Sequence, residues 1–213
     1  MNAEAQLNHG LAGLGLTLSA EARRRLLQYL ALLAKWNRIY NLTAIREPSK
    51  LVSHHLLDSL AVLPHLEGPS VVDVGSGAGL PGIPLAVAKP EWRFALLDSN
   101  HKKAAFLRQA VLELNLENAQ VVTDRAEHWR PIPSFDVVIS RAFSDLPSFV
   151  ETARHLCRSG GVMAAMKGIY PDEELAQLGA EPRVQKVVSL DVPGLGASRH
   201  LVLLQQPSGI GQA

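Results

Sequence analysis

Val71-Val72-Asp73-Val74-Gly75-Ser76-Gly77-Ala78-Gly79-Leu80-Pro81-Gly82-Ile83-Pro84-Leu85-Ala86 reads as a short buried strand, a tight glycine loop and the opening of a helix. Three glycines within one turn after an apolar run are hard to explain by packing, because glycine's value lies in backbone conformations other residues avoid. Downstream the pattern continues as strand, helix, strand. Arg93 to Asp98 is a second strand, stopped at an acid. Lys102 to Leu116 is an amphipathic helix with Ala105, Phe106, Ala110, Val111 and Leu114 as its buried stripe. Ala119 to Thr123 is a third strand, Phe135 to Ser140 a fourth and Gly161 to Lys167 a fifth. A helix is expected over Leu146 to Leu156, with Cys157 at its end, and a short acidic helix over Asp172 to Leu178. Two last strands, Val184 to Leu190 and Arg199 to Leu204, read as a hairpin-like finish. This is an α/β, Rossmann-like, mostly parallel sheet with an antiparallel last strand, and its ligand belongs at the carboxyl ends of the strands.

Upstream of residue 68 the chain reads as helical. Ser19 is an N-cap and Glu21 lies in the first turn of a helix whose apolar face is Leu26, Leu27, Leu30, Leu33 and Trp36. Arg23, Arg24, Arg25, Lys35 and Arg38 crowd that helix, as a solvated basic face or a phosphate-contacting one. A second helix is expected from Pro48 to Leu63. On it Asp58 is within reach of His54 or His55. The division expected is an N-terminal helical extension over 1–67 and a core over 68–213, together one compact unit. The stretch before Ser19 carries no signature.

Composition sets outer bounds. The 213 residues are 47% hydrophobic and 19% charged, with a formal net charge of +1. That is a globular composition, which neither demands nor forbids a nucleic-acid partner. Cys157 is the single cysteine, so there is no intrachain disulfide and no Cys-rich metal site; no metal is expected. No stretch reaches the roughly 20 apolar residues of a membrane span, and the first residues lack an export signal. A cytoplasmic location without membrane contact follows as the expectation.

Gly77-Ala78-Gly79-Leu80-Pro81-Gly82 satisfies G-x-G-x-x-G, and Asp98 follows Gly77 by about twenty residues, as a ribose-binding acid would. A dinucleotide is one reading. Asp73, expected to face the ligand crevice, argues against it, since a pyrophosphate beside a carboxylate is repelled. S-adenosylmethionine has no phosphate and carries an ammonium and a sulfonium. Asp73, Gly75, Gly77, Gly79 and Asp98 then form a methyl-donor cradle, with Ala126-Glu127 past the third strand near the adenine. The chain lacks an Asn/Asp-Pro-Pro-aromatic run for exocyclic amines, and its cysteine lies elsewhere. A target with a free lone pair, such as a purine ring nitrogen, would need no base to remove a proton first. Transfer then rests on positioning, with no general base and Arg141 as the candidate for phosphate, base edge or cofactor carboxylate. Phe143 either stacks on a base or packs in the core.

Asn37-Arg-Ile-Tyr-Asn-Leu-Thr43, His55-Leu-Leu-Asp58-Ser59, the Asp73 to Pro84 run, Leu97-Asp98-Ser99, Ser140-Arg141-Ala142-Phe143, Lys167-Gly168 and Arg199-His200-Leu201-Val202 occur in that order. Together they resemble the family of ribosomal RNA small subunit methyltransferase G, from about Trp36 to Val202. The resemblance implies a class I S-adenosylmethionine-dependent methyltransferase of the bacterial cytoplasm. Its target would be N7 of one guanine in the 530 loop of 16S rRNA, naked or within the 30S subunit. By matching position it puts Gly75, Leu80, Ala126, Glu127 and Arg141 at the cofactor. It also draws Asn41, His55, Asp58 and Ser59 into the pattern, as an RNA entrance to which Lys167 and Arg199 add charge. A monomer is expected. The rival readings are a methyltransferase acting on a small molecule or protein, a dinucleotide oxidoreductase, and a nucleotide-binding adaptor without turnover.

Overall fold

The computed structural model describes residues 2–141 and 143–208. Ala142 of the Ser-Arg-Ala-Phe motif and the tail after Ser208 lie outside them. Among the described residues seven strands form one sheet, in the order β3-β2-β1-β4-β5-β7-β6. They are β1 (Ser70–Val74), β2 (Arg93–Leu97), β3 (Ala119–Val122), β4 (Phe135–Ser140), β5 (Cys157–Lys167), β6 (Arg183–Ser189) and β7 (His200–Gln205). β1 to β5 pair in parallel, while β7 runs antiparallel to both β5 and β6. The order turns back between β1 and β4, the switch point where such sheets open a crevice.

Both faces of the sheet are covered, and the strands alternate accordingly. Val71, Phe94, Leu96, Val137, Ile139, Ala164, Met166, Leu201 and Leu203 pack into one apolar layer. Val72, Val74, Ala95, Leu97, Val138, Met163, Ala165, Val202 and Leu204 pack into the other. The first layer includes buried residues of α5 (Gly82–Ala88) and α6 (His101–Glu113), and the second those of α7 (Leu146–Ala153). α6 is capped by Asn100, whose Oδ1 accepts from the amides of Lys102 and Lys103.

The amino-terminal extension shares the first layer, and buried residues from Leu7 to Leu203 form one continuous core. α1 (Ala3–Gly13) is capped by Asn2, and its Leu7 and Leu11 are buried. α2 (Ala20–Tyr40) starts at Ser19, whose Oγ accepts from the Ala22 amide at 3.1 Å. In its basic cluster Arg24 and Arg25 pair with Glu21, Arg23 donates to the Leu18 carbonyl, and Lys35 and Arg38 are exposed. Trp36 and Tyr29 of α2 meet Phe106 of α6 at 5.6 and 6.4 Å between ring centroids.

The expected helix over 48–63 is built in pieces. α3 (Pro48–Leu51) runs into a π-helical turn, Val52–Leu57, and then α4 (Asp58–Leu60). π turns put an extra residue into a helix and frequently mark functional positions. α1 falls in the stretch expected to be helical. One expectation changes: Cys157 opens β5 instead of ending a helix. There Cys157 is buried, and burial pushes its thiol up to about 12, so it is a packing residue.

Candidate active site

Two cavities lie side by side at the carboxyl ends of the strands. The first, about 380 Å³, is walled by Val74 and Gly75 after β1, Leu97 and Asp98 after β2, Asp124 to Glu127 after β3, and Phe143 after β4. The second, about 320 Å³, lies between the extension and the ends of β4 and β5. His54, His55, Asp58, Arg141, Lys167 and Arg199 are among the residues lining it. The segment following β4 divides them, with Arg141 in the second and Phe143 in the first.

The glycine loop is organised from within. Gly75 and Ser76 donate their amides to the Leu97 carbonyl at 2.9 and 3.0 Å, and Gly79 and Leu80 donate theirs to the Ser76 carbonyl. Gly77 donates to Asp98 Oδ2 at 2.8 Å, and Gly82 to Asp73 Oδ2 at 2.9 Å. A phosphate-binding loop works by aiming such amides at the ligand. Here these six are spent inside the protein, which disfavours the dinucleotide reading more strongly than the motif favours it. Two glycines are required sterically. Gly79 has φ +86°, and a Cβ on Gly82 would meet Leu96 at 2.3 Å and the Asp73 carboxylate at 2.7 Å.

Asp73 does not open on the cavity. It lies on the α5 face of β1, fully buried beneath the loop, where Oδ2 accepts from the Ser76 hydroxyl at 2.6 Å and from the Gly82 amide. It holds the loop from beneath. Its Oδ1 is buried with no hydrogen-bond partner, a site that suits a nearby ligand cation better than an anion. Burial lifts its carboxyl from the usual 3.8 to about 6. A raised folded-state value means that the stability gained by keeping the group protonated is fully present below pH 3.8. It is lost as pH rises through about 6. Relative to Asp73→Asn, the wild type should therefore lose about 2 kcal/mol of unfolding free energy between pH 4 and 6.5. Urea titrations of both proteins across that range measure it; parallel profiles would contradict it. His55 titrates in both proteins and cancels in the difference.

Asp98 is almost fully buried. Its Oδ2 accepts from Gly77 and its Oδ1 from the Asn100 amide at 2.8 Å. A carboxylate has about four acceptor positions, so two remain for hydroxyls of a ligand in the cavity it lines. Val74, Leu97, Ala126 and Phe143 give the cavity an apolar wall, and Asp98, Asp124, Glu127, Lys103 and Arg125 line the rest, a mixture that suits a nucleoside. Leu80 lies off this cavity, buried in the core. Phe143 packs against Phe149, with ring centroids 5.2 Å apart and planes tilted by 45°, and belongs to this wall, away from the second cavity.

The second cavity gathers five residues expected at the RNA entrance or the cofactor. Asp58, with its side chain 1% exposed, accepts from Arg199 Nε at 2.8 Å and pairs with Arg141 at 3.3 Å. It therefore reaches the arginines and neither histidine. His55 Nδ1 faces the His54 carbonyl at 3.0 Å, which can only accept, so that nitrogen carries the proton. Its Nε2 then accepts from the Thr43 hydroxyl at 3.1 Å. Burial, seconded by Arg141, pulls His55 down to about 4, so it is neutral at pH 7.

Lys167 is engaged by Glu174 at 2.7 Å and by the Ser144 carbonyl at 2.9 Å. Glu174 in turn accepts from the Leu146 amide at the start of α7. Lys167 thus braces the segment after β4 as well as charging the cavity. Asn41 and Ser59 are outside both linings. Asn41 is an exposed left-handed cap of α2 holding Arg46, and Ser59 is fully buried with Oγ unpaired.

Two residues absent from the sequence expectations matter here. Tyr29 of α2, fully buried, donates its hydroxyl to the Ala78 carbonyl at 2.7 Å and so ties the extension to the glycine loop. Asn37 Oδ1 accepts from the Thr43 amide and shapes the 41–47 segment. Asn37 stands in a quoted motif; Tyr29 looks like any core position on an apolar stripe. Among the described residues no group of three or more His, Cys, Asp or Glu could hold a metal. No helix there is long and apolar enough to cross a membrane.

The rRNA small subunit methyltransferase G family matches residues 22–202. The chain is 56% identical to ribosomal RNA small subunit methyltransferase G of Nitrosospira multiformis, over 97% of this chain and 99% of that one. It is 52% identical to the protein of the same name from Neisseria meningitidis serogroup B, over 97% and 100%. Among solved structures it resembles a SAM-dependent methyltransferase from Aquifex aeolicus (TM-score 0.56, 21% identity, 83% of this chain and 98% of that one). It also resembles an O-methyltransferase from Bacillus cereus in complex with SAH (TM-score 0.58, 21% identity, 84% and 90%). These structures share the Rossmann-like fold of class I methyltransferases.

Proposed function

The chain belongs to the rRNA small subunit methyltransferase G family, and from that premise we propose that it transfers a methyl group from S-adenosylmethionine to N7 of one guanine in the 530 loop of 16S rRNA. The donor occupies the first cavity. Asp98 takes the ribose hydroxyls, Ala126 and Glu127 flank the adenine, Gly75 admits the methionine portion and Phe143 closes the wall. The bound donor supplies an electrophilic methyl on a sulfonium. The target base enters the second cavity, where Arg141 and Arg199 offer charge-assisted donors to its oxygen or to phosphate.

The observation that carries the N7 reading is that the buried titratable groups of the second cavity are committed. Asp58 is bound by two arginines, and neutral His55 is used on both ring nitrogens. His54, with Nδ1 hydrogen-bonded to Ser53 Oγ, is the one histidine left there to abstract a proton. A ring nitrogen with an available lone pair asks for none, so alignment does the work. The basic lining and a chain of net charge +1 fit an enzyme that works as a monomer in the cytoplasm and gains part of its affinity from the folded RNA or the 30S particle. Incubation with labelled S-adenosylmethionine and unmodified 16S rRNA, naked and in 30S subunits, tests the reading. Stoichiometric labelling of the RNA is expected. Labelling of protein alone would favour the small-molecule or protein methyltransferase.

A further inference from the structure

Between β5 and α8 (Asp172–Ala176) the chain passes through Gly168, Ile169, Tyr170 and Pro171. Lys167 and Gly168 line the second cavity. The next two residues are a large aliphatic and an aromatic side chain left in solvent, Ile169 at 79% and Tyr170 at 48% exposure. Tyr170 is nevertheless held in place. Its ring meets that of His200 at 5.4 Å and 84°, edge to face. His200 is paired across the sheet with Lys167 and follows Arg199. Tyr170 therefore follows, two residues past Gly168, directly on a cavity lined by the cations Arg141, Lys167 and Arg199, with Asp58 and, through Lys167, Glu174 as counter-charges.

A single exposed apolar side chain asks for no explanation. An ordered aromatic ring with an aliphatic neighbour, beside a cationic cavity, is a different arrangement. It is how proteins hold unpaired nucleotides, with cations tracking the phosphates and a ring face taking the base. A tyrosine fixed by a neighbour loses little rotamer freedom when it does so. We propose that Tyr170, with Ile169 beside it, is the stacking platform for an unpaired nucleobase of the RNA substrate next to the methylated guanine. This rests on the rRNA reading above. Tyr170 takes no part in donor binding, because it lies off the first cavity.

Steady-state methylation of naked 16S rRNA by the full chain and by Tyr170→Ala, Tyr170→Phe and Tyr170→Trp tests it. Tyr170→Ala should raise KM for RNA roughly tenfold, with kcat at saturating RNA and the affinity for S-adenosylmethionine unchanged. Tyr170→Phe should restore KM, since stacking needs the ring and not the hydroxyl. The salt dependence of RNA binding should keep its slope, because no phosphate contact is lost. In Tyr170→Trp, RNA should quench the new indole. An unchanged KM in Tyr170→Ala, a Tyr170→Phe as weak as Tyr170→Ala, or an effect seen with 30S subunits and not with naked RNA would overturn it, the last pointing to a protein contact. A wild type that leaves rRNA unmethylated would sink the functional reading itself; an active wild type matched by Tyr170→Ala sinks this inference alone.

Discussion

Asp98→Ala is expected to weaken S-adenosylmethionine binding about a hundredfold. The carboxylate does three jobs at once. It accepts the Gly77 amide that sets the glycine loop, it accepts the Asn100 amide that positions the cap of α6, and it lines the first cavity, where the donor is proposed to bind. Hydrogen bonds to a charged acceptor contribute about 1.5–3 kcal/mol each. Losing the ribose contacts together with the loop's anchor amounts to about 3 kcal/mol, near two decades in Kd. Asp98→Asn keeps the shape and one acceptor, and should fall between. Calorimetric titration of the three proteins measures this. An Asp98→Ala affinity within threefold of wild type would remove the acid from the donor site.

Asp58→Asn should cost about 3 kcal/mol of stability and abolish most methyl transfer. The carboxylate is buried between Arg141 and Arg199, and it joins three parts of the chain that are far apart in sequence: α4, the segment after β4 and the approach to β7. Removing one partner of a buried pair leaves the other charge uncompensated, at about 3–5 kcal/mol. The arginine side chains are 31% and 24% exposed, which puts the cost at the lower end. For a chain of this size that lowers Tm by about 6–12 °C. Thermal and urea unfolding, with methyl transfer measured well below the lowered Tm, separate the two effects. A change under 0.5 kcal/mol with full activity would show the arginines to be held by something else.

The central sheet was readable because its signals are local. β1 is a fully buried strand, apolar but for Ser70 and Asp73, that ends at Gly75, and β2, β3 and β4 end where their acidic or polar stops predict. Asp98, Ala126 and Glu127 were placed by their distance along the chain from strand ends, and they do line one cavity. Asp73 was read as a reason to doubt a dinucleotide and as facing the ligand crevice; the fold buries it under the glycine loop, off the cavity lining. Strand alternation, which turns it toward α5, was available in the sequence and decides that point. The spent loop amides were not available, since hydrogen-bond partners such as Leu97 and Ser76 follow from the folded turn alone.

The second cavity was legible only as a resemblance. Nothing in local spacing says that Asp58 meets Arg141, 83 residues away, and Arg199, 141 residues away. The π turn through His54 and His55 also has no periodic signature that distinguishes it from α-helix. Lys167 looked like a free cation in the sequence, and its partner Glu174 lies on a short acidic helix that reads as surface. Tyr29 illustrates the same limit: its hydroxyl reaches Ala78, 49 residues on, from a stripe of leucines.

The most direct measurement is to map, at nucleotide resolution, the methyl group that the purified protein adds to unmodified 16S rRNA with S-adenosylmethionine as donor. A single product, N7-methylguanosine within the 530 loop, is the result expected from the family reading, and a ring nitrogen suits a cavity whose buried acid and histidine are committed elsewhere. A methyl on an exocyclic amine, on a ribose, or on several scattered guanines would contradict it.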